Sequence, residues 1–334
     1  MKKILIIILF LVCYKVNASV IVMDASSGRV LYGNNINERK LIASTTKIMT
    51  SIIALENGNL NDIYVVGDEI DQVNGSMIYI KKGEKFTLKD LLMGLMLQSG
   101  NDAAMVIANN VINYDDFIFE MNIKAFKLGM YNTTFENPHG LNDDTSNYST
   151  AYDMALLMRY AIKNKDFINI TNTKKYSVNN YIWYNKNKLL SEYKYLISGK
   201  IGYTKKSGQV YVSAARKNNK TLIIVSIDES DKFNLHKRLY ETYFDKYDLY
   251  NILDKNTFSF KLNNSYDYFY INNSFNMLLN KNEIDRVKLK YIINNNYNYV
   301  DIYFDDKKIH SEKLYRVEYL KRKQSIKDKL LFYK

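Results

Sequence analysis

Ser44-Thr45-Thr46-Lys47 places a hydroxyl and an amine three residues apart. On a helix, side chains at that spacing lie on one face within reach of each other. That is the geometry of a nucleophile and its base. The N-terminus of such a helix adds a positive dipole near the serine. A desolvated lysine beside another cation is pushed towards its neutral, proton-accepting form. Ser99-Gly100-Asn101 offers a second hydroxyl and an amide, and Lys200-Ile201-Gly202 offers a second amine beside a glycine. An isolated Ser-x-x-Lys is usually a helix cap followed by a solvated charge, so the weight rests on the three elements together.

The elements that must position these groups follow from periodicity. Val20-Ile21-Val22 and Val30-Leu31-Tyr32 flank Ser26-Ser27-Gly28 and read as an antiparallel hairpin. A helix starts at Ser44, keeps Ile48, Ile52 and Leu55 on one face, and stops at Asn57-Gly58. Leu88 to Leu97 and Asp102 to Val111 are helical runs separated by Ser99-Gly100-Asn101, where a hydroxyl and an amide could enter a cleft. Residues 116 to 130 and 150 to 164 are two more amphipathic helices, so the middle of the chain reads as helical.

Strands return at Lys200 to Thr204, Val210 to Arg216 and Thr221 to Ile227, and a helix follows from about Lys232 to Tyr247. A glycine in the first of these strands allows close approach of a ligand's backbone. Strands at both ends of a helical block predict one sheet assembled from both ends, with helices packed on it. Residues 251 to about 318 alternate apolar and polar side chains, as in Phe258-Ser259-Phe260-Lys261-Leu262 and Val287-Lys288-Leu289-Lys290-Tyr291, which predicts a small β-rich unit.

The 334 residues leave room for more than one domain, and 47% hydrophobic content can fill a core, which excludes a disordered chain. Lys2 and Lys3, the apolar run Ile4 to Cys13, and Val16-Asn17-Ala18 have the pattern of a secretory signal peptide over residues 1 to 18. The run is short for a membrane span. Its removal takes three lysines and lowers the net charge from +12 to +9. It also removes the only cysteine, and with it thiol chemistry and disulfides. His139, His236 and His310 stand far apart without a ligand motif, so no metal or other cofactor is expected. Export also excludes nucleic acid as the partner of the basic charge. Residues 319 to 334 carry six basic residues against Asp328, a net of +5 interspersed with Leu320, Ile326, Leu330, Leu331 and Phe332. This stretch is either a solvated basic tail or an amphipathic anchor on a membrane surface.

Ser-x-x-Lys, Ser-x-Asn and Lys-x-Gly occur here in the order of the signature set of penicillin-binding proteins and β-lactamases. The chain resembles the low-molecular-mass penicillin-binding proteins of the D-alanyl-D-alanine carboxypeptidase type. The likeness runs from about residue 20 to 248. It is carried by Ala43 to Thr50, by Gly75-Ser76, Gly83-Glu84 and Gln98 to Ala104, and by Phe135-Glu136-Asn137-Pro138-His139-Gly140-Leu141. Tyr148 to Asp153 and Asn185 to Leu190 extend it. It implies an α/β (α+β) fold, in which a β-lactamase/transpeptidase-like domain with an antiparallel sheet and a helical cluster spans residues 19–248. A small β-rich domain then spans residues 249–318. It also implies an exported hydrolase, periplasmic or otherwise extracytoplasmic, that acts on peptidoglycan pentapeptide in building the cell wall and setting cell shape, and that β-lactam antibiotics inhibit.

By the same resemblance, Ser44 is the nucleophile, Lys47 its base, and Ser99 and Asn101 the proton relay and substrate anchor. Lys200 supplies positive charge, Gly202 opens the strand, and the backbone N–H groups of Ser44 and Tyr203 form an oxyanion hole. Thr204 and Lys232 bind the terminal carboxylate. Two residues depart from the pattern. Ile201 replaces the usual Thr, which removes a hydroxyl beside the cleft, and Lys232 replaces an Arg, keeping the charge without the fork. An endopeptidase cutting D-Ala cross-links would use the same site. A β-lactamase would have Ser-Asp-Asn and a deacylating Glu loop, and a catalytically dead wall-binding protein would not need the intact Ser44, Lys47, Ser99, Asn101 and Lys200.

Overall fold

The computed structural model describes residues 18–142, 145–261, 268–294 and 297–317. The expected signal, apart from Ala18, and the basic tail at 319–334 lie outside the described residues. β1 (Ser19–Asp24) and β2 (Val30–Asn34) form the expected hairpin. After β3 (Lys40–Leu41), the chain makes a 3-10 turn over Ala43–Thr46, and only then enters α1 (Lys47–Asn57). The helix expected from Ser44 therefore begins at Lys47. Ala43 sits at φ +46° and the Thr45 hydroxyl donates to the Ile42 carbonyl at 2.5 Å, which tightens this first turn.

β4 (Ile63–Val65) pairs with β5 (Lys85–Thr87), which leads into α2 (Leu88–Met93) through a Thr87–Asp90 capping box. A π-helical turn at Gly94–Gln98 ends at Ser99, and α3 (Asn101–Asn110) and α4 (Tyr114–Lys127) follow. β6 (Tyr148–Ser149) pairs with β3, and α5 (Ala151–Ala161) and α6 (Lys165–Thr171) are capped by Thr150 and Asn164. A hairpin of β7 (Lys175–Val178) and β8 (Tyr181–Tyr184) follows, in a stretch for which periodicity predicts no element. Its Trp183 is buried against Phe86, Tyr176 and Tyr181 and packs the hairpin onto the helical core.

α7 (Leu189–Glu192) precedes β9 (Leu196–Thr204), β10 (Gly208–Lys217), β11 (Lys220–Ile227) and α8 (Lys232–Lys246). The main sheet has the order β2-β1-β11-β10-β9, with every pair antiparallel, so both ends of this region build it. Asn218 and Asn219, both at positive φ, close the two-residue turn between β10 and β11. Apolar side chains on both faces of the central strands suit burial on both sides. One face joins Ile21, Val212 and Val225 to the core of α1 to α6, and the other joins Val22, Tyr211 and Ile224 to Tyr240 and Phe244 of α8.

The C-terminal β-rich region contains β12 (Asp248–Leu253), β13 (Ser259–Lys261), β14 (Tyr268–Tyr270), β15 (Phe275–Leu279), β16 (Val287–Ile293), β17 (Asn298–Phe304), β18 (Lys307–Lys313) and β19 (Tyr315–Val317). They form sheets β12-β15, β13-β14-β19 and β16-β17-β18 around a core that includes Leu253, Phe269, Met277 and Ile302. The alternation in β16 suggests one buried face, yet Leu289 and Tyr291 are exposed, because β16 is the outer strand of a three-stranded sheet. This region is tied to the main sheet by the Leu278 N–H on Asp24 and by the fork of Arg29 on Glu283.

Candidate active site

Ser44 is half-buried in its 3-10 turn, and Lys47, one turn on, is wholly buried. Lys47 Nζ lies 3.0 Å from Ser44 Oγ, 2.7 Å from Asn101 Oδ1 and 2.6 Å from the His139 carbonyl. The last two are acceptors only. A neutral amine has two N–H donors, and these acceptors take both, which leaves its lone pair for the Ser44 hydroxyl. Burial holds the Lys47 pKa well below the ordinary lysine value. The nearby charge of Lys200 lowers it further, Asp102 opposes the shift, and Lys186 adds to it.

Ser99 sits at φ +65°, a left-handed conformation that stops the π-helical turn and projects its hydroxyl at the mouth of α3. Lys200 Nζ donates to Ser99 Oγ at 3.0 Å and to the Ile201 carbonyl at 3.0 Å. Burial, with Lys186 as a second cause, lowers the Lys200 pKa to about 7. Asn101 is held from behind, its amide donating to the Asn74 carbonyl at 2.6 Å and its backbone N–H to Ser76 at 2.7 Å. The Asp102 carboxylate accepts the N–H groups of Ile78 and Tyr79, so the 74–80 loop wraps the Ser99–Asn101 turn.

β9 is the outer strand of the sheet and runs directly against the serine turn. A Cβ added to Gly202 would lie 3.0 Å from the Ser44 nitrogen and 3.1 Å from the Ala43 Cβ, so a glycine is what permits this approach. Alternation along a strand sends Lys200, Gly202 and Thr204 to one face and Ile201 and Tyr203 to the other. Ile201 accordingly packs with the Phe233 and Tyr211 cluster on the α8 side, away from Lys47 and Lys200. The apolar side chain that stands in for the hydroxyl expected beside the cleft is thus taken up by packing on the α8 side of the strand. Lys232 lies on that same side, donating to Gln209 and standing 4.9 Å from the Phe233 ring.

Ser44, Lys47, Ser99, Asn101, Lys200 and Gly202 therefore come together, whereas Lys232 makes no bond to this group. Tyr203 has a largely exposed side chain. The Thr204 hydroxyl closes the β9–β10 turn by donating to Ser207 Oγ at 2.9 Å and accepting the Ser207 N–H.

Four contributors were not singled out by sequence reasoning. The His139 carbonyl holds Lys47. Its imidazole accepts the Leu141 N–H and is kept neutral by burial and by Lys47, with a pKa lowered to about 3. Asn147 donates to Thr46 Oγ1 at 2.9 Å and accepts the Glu136 and Asn137 N–H groups, so it clamps the Pro138 segment onto the serine turn. Pro138 also accepts from Thr50. Lys186 donates to the Gln98 carbonyl at 2.8 Å and contributes charge to both buried lysines. Asp102 organises the loop. The Asn-Pro-His-Gly turn and the Asn185-Lys186-Asn187-Lys188 run were signals for His139 and Lys186; Asn147 had none.

The D-alanyl-D-alanine carboxypeptidase family profile matches residues 15–231 of this chain. The chain belongs to that family. Among curated members, the D-alanyl-D-alanine carboxypeptidase DacF of Bacillus subtilis is 34% identical over 218 residues, which are 62% of this chain and 56% of that protein. DacB2 of Mycobacterium tuberculosis is 33% identical over 231 residues, 68% of this chain and 78% of that protein. The match thus spans about half the length of relatives such as DacF. The crystal structure of penicillin binding protein 6B from Escherichia coli aligns over 88% of this chain and 93% of its own, with a TM-score of 0.69 and 26% identity. The fold of this family, including a β-rich C-terminal region, is therefore the fold of this chain. Among the described residues no cluster of His, Cys, Asp or Glu could hold a metal, and no helix is long and apolar enough to cross a membrane.

Proposed function

We propose that this protein is a serine-type D-Ala-D-Ala carboxypeptidase that removes the terminal D-Ala of a peptidoglycan stem peptide and is acylated by β-lactams. The observation that carries the reading is the fully buried, deprotonation-prone Lys47 at 3.0 Å from Ser44 Oγ. Neutral Lys47 takes the Ser44 proton as Oγ attacks the carbonyl carbon of the D-Ala-D-Ala bond. The tetrahedral oxyanion is received by the N–H groups of Ser44 and Tyr203, donors each worth about 3–4 kcal/mol in comparable sites. The C–N bond breaks as its nitrogen takes up the proton removed from Ser44, D-Ala leaves as the amine, and Ser44 carries the acyl group until water releases it. Lys200 and Ser99 form the charged and hydroxylic wall of the cleft, and Asn101 holds both Lys47 and the peptide. Thr204 and Lys232 are the proposed carboxylate contacts. For each, substrate binding must compete with a bond already made, to Ser207 and to Gln209.

The same reading takes residues 1–18 as a cleaved export signal, 19–248 as the catalytic domain, 249–318 as a β-rich domain and 319–334 as a basic, membrane-facing tail, with the enzyme working outside the cytoplasmic membrane. Mass spectrometry of a stem pentapeptide incubated with the purified chain tests the reaction. Loss of one D-Ala by wild type and none by Ser44→Ala supports it. An intact pentapeptide together with release of dimers from cross-linked muropeptide would instead indicate endopeptidase action. Failure of wild type on both substrates and on a fluorescent penicillin would refute acylation at Ser44.

A further inference from the structure

A groove of about 440 Å³ lies at the β1–β2 edge of the main sheet, opposite the β9 edge that borders Ser44. Its walls come from the β1–β2 turn, from α5, and from the β17–β18 hairpin of the C-terminal region. Four cations face it, Arg29, Arg159, Lys307 and Lys308, and no carboxylate lines it. Two of the four are already neutralised. Arg29 forks onto Glu283 and stacks 3.9 Å over Phe304, and Lys308 reaches Asp301 at 3.4 Å.

The other two make no salt bridge, although the charge of the buried Asp24 acts on Arg159 from a distance. The Arg159 guanidinium is partly desolvated, and burial lowers its pKa while the charge of Asp24 opposes the shift. Its bonds go only to the carbonyls of Ala25 at 2.8 Å and Ser26 at 2.7 Å. The nearby Asp24 carboxylate is occupied by the N–H groups of Ser26, Ser27 and Leu278 and by the Ser27 hydroxyl. The carbonyl anchors use Nε and one terminal nitrogen, which leaves the other terminal nitrogen without a partner. Lys307 makes no ion pair, and its neighbours Asp305 and Asp306 are engaged by Arg286 and Lys288. A partly buried guanidinium with no carboxylate bonded to it gains from an anion that meets its open nitrogen. A planar fork with an ammonium opposite suits an oxyanion. Leu156 and Phe304 give the groove apolar walls, so the anion would arrive on a larger, partly apolar ligand.

We propose that this groove is a second ligand site, separate from the serine cleft, which takes the carboxylate or phosphate group of a ligand lying across the main sheet region and the C-terminal region. The proposal does not depend on the peptidase reading. Two sources share this chemistry, a stem-peptide carboxylate and a phosphate-bearing polymer, and the assay separates them. Calorimetric titration of the full chain with inorganic phosphate, and of a Ser44→Ala chain with an acetylated D-Ala-D-Ala peptide, is repeated with Lys307→Glu added to each.

Lys307 is exposed and unpaired, so its variant is expected to melt as wild type does. Loss of a charge-assisted contact with reversal of charge should weaken binding about tenfold or more. Phosphate binding that Lys307→Glu weakens assigns the phosphate source. Peptide binding weakened in the same way assigns the stem peptide, because the portion held by the serine cleft is indifferent to Lys307. Arg159→Gln should weaken the same titration, and a normal melting curve for it excludes unfolding as the cause. No saturable binding of either ligand, or binding unchanged by Lys307→Glu, overturns the proposal.

Discussion

Two pairs of serine and base stand on opposite faces of the main sheet. On one face, Lys47 Nζ is 3.0 Å from Ser44 Oγ. On the other, His236 lies between Ser213, 2.7 Å from Nδ1, and Ser226, 2.9 Å from Nε2, and Ser213 also meets Tyr240. By distance alone the second cluster looks as much like a nucleophile and its base as the first. It differs in having no way in. Ser213, Ser226, His236 and Tyr240 are all fully buried between the sheet and α8, with the Tyr211 ring stacked on the imidazole. Ser44 is half-exposed beside an outer strand whose glycine lets the serine turn approach closely. A reactive pair therefore needs an open edge and nearby N–H donors, and a closed one satisfies its polar atoms and stabilises the core.

The largest expected effect that would break this comparison is on acylation. Ser44→Ala or Lys47→Met should lower the rate of labelling by a fluorescent penicillin by about 10⁴-fold or more, in line with losses of a nucleophile or its base in serine hydrolases. Ser213→Ala should leave that rate unchanged but cost about 1–3 kcal/mol in denaturant melts, since it strands the buried His236. A labelling defect in Ser213→Ala with normal stability would show that the two faces are coupled.

Gly202→Ala should come next. Its methyl would press on the Ser44 nitrogen and displace the serine turn, and an error of about 1 Å in a reacting group can cost about 10²-fold. A stopped-flow acylation rate equal to wild type would show that the turn yields freely.

pH separates the buried lysines from the buried histidines by window. The folded pKa of Lys200, about 7, and that of Lys47 lie below the unfolded value of 10.5. Between these limits the unfolded chain binds more protons, so stability rises with pH over about 7 to 10.5 and that gain is lost as pH falls back towards 7. His236 and His139 are also depressed, so their contribution is present above pH 6.5 and is lost as pH falls below it. Urea melts across pH should show Lys200→Met flattening the alkaline rise by a few kcal/mol and His236→Phe flattening only the acid fall. The smallest effect is expected for Asn147→Ala, a loss of about 1–3 kcal/mol with a modestly slower acylation, measured in the same melts.

Much of the main sheet was legible because β1, β10 and β11 are short apolar runs bounded by turn residues, and α8 keeps a clear helical face. The β7–β8 hairpin escaped notice, since Tyr176 and Trp183 read equally well on a helix, and what makes them strands is packing on Phe86. The start of α1 was misplaced by three residues because Ala43 adopts a left-handed backbone that no local propensity favours.

The sequence by itself determined the identity and order of Ser44, Lys47, Ser99, Asn101 and Lys200, because a reach of three residues along a turn and an alternation of two along a strand are local properties of the backbone. Only the tertiary structure decided the rest. It brought the His139 carbonyl and the Lys186 charge to the two buried lysines, turned Ile201 away from them, and left one serine and base pair open while it closed the other. Those outcomes depend on which surfaces meet across distant stretches of chain and on how much water remains between them, and neither is written in the spacing of residues along it.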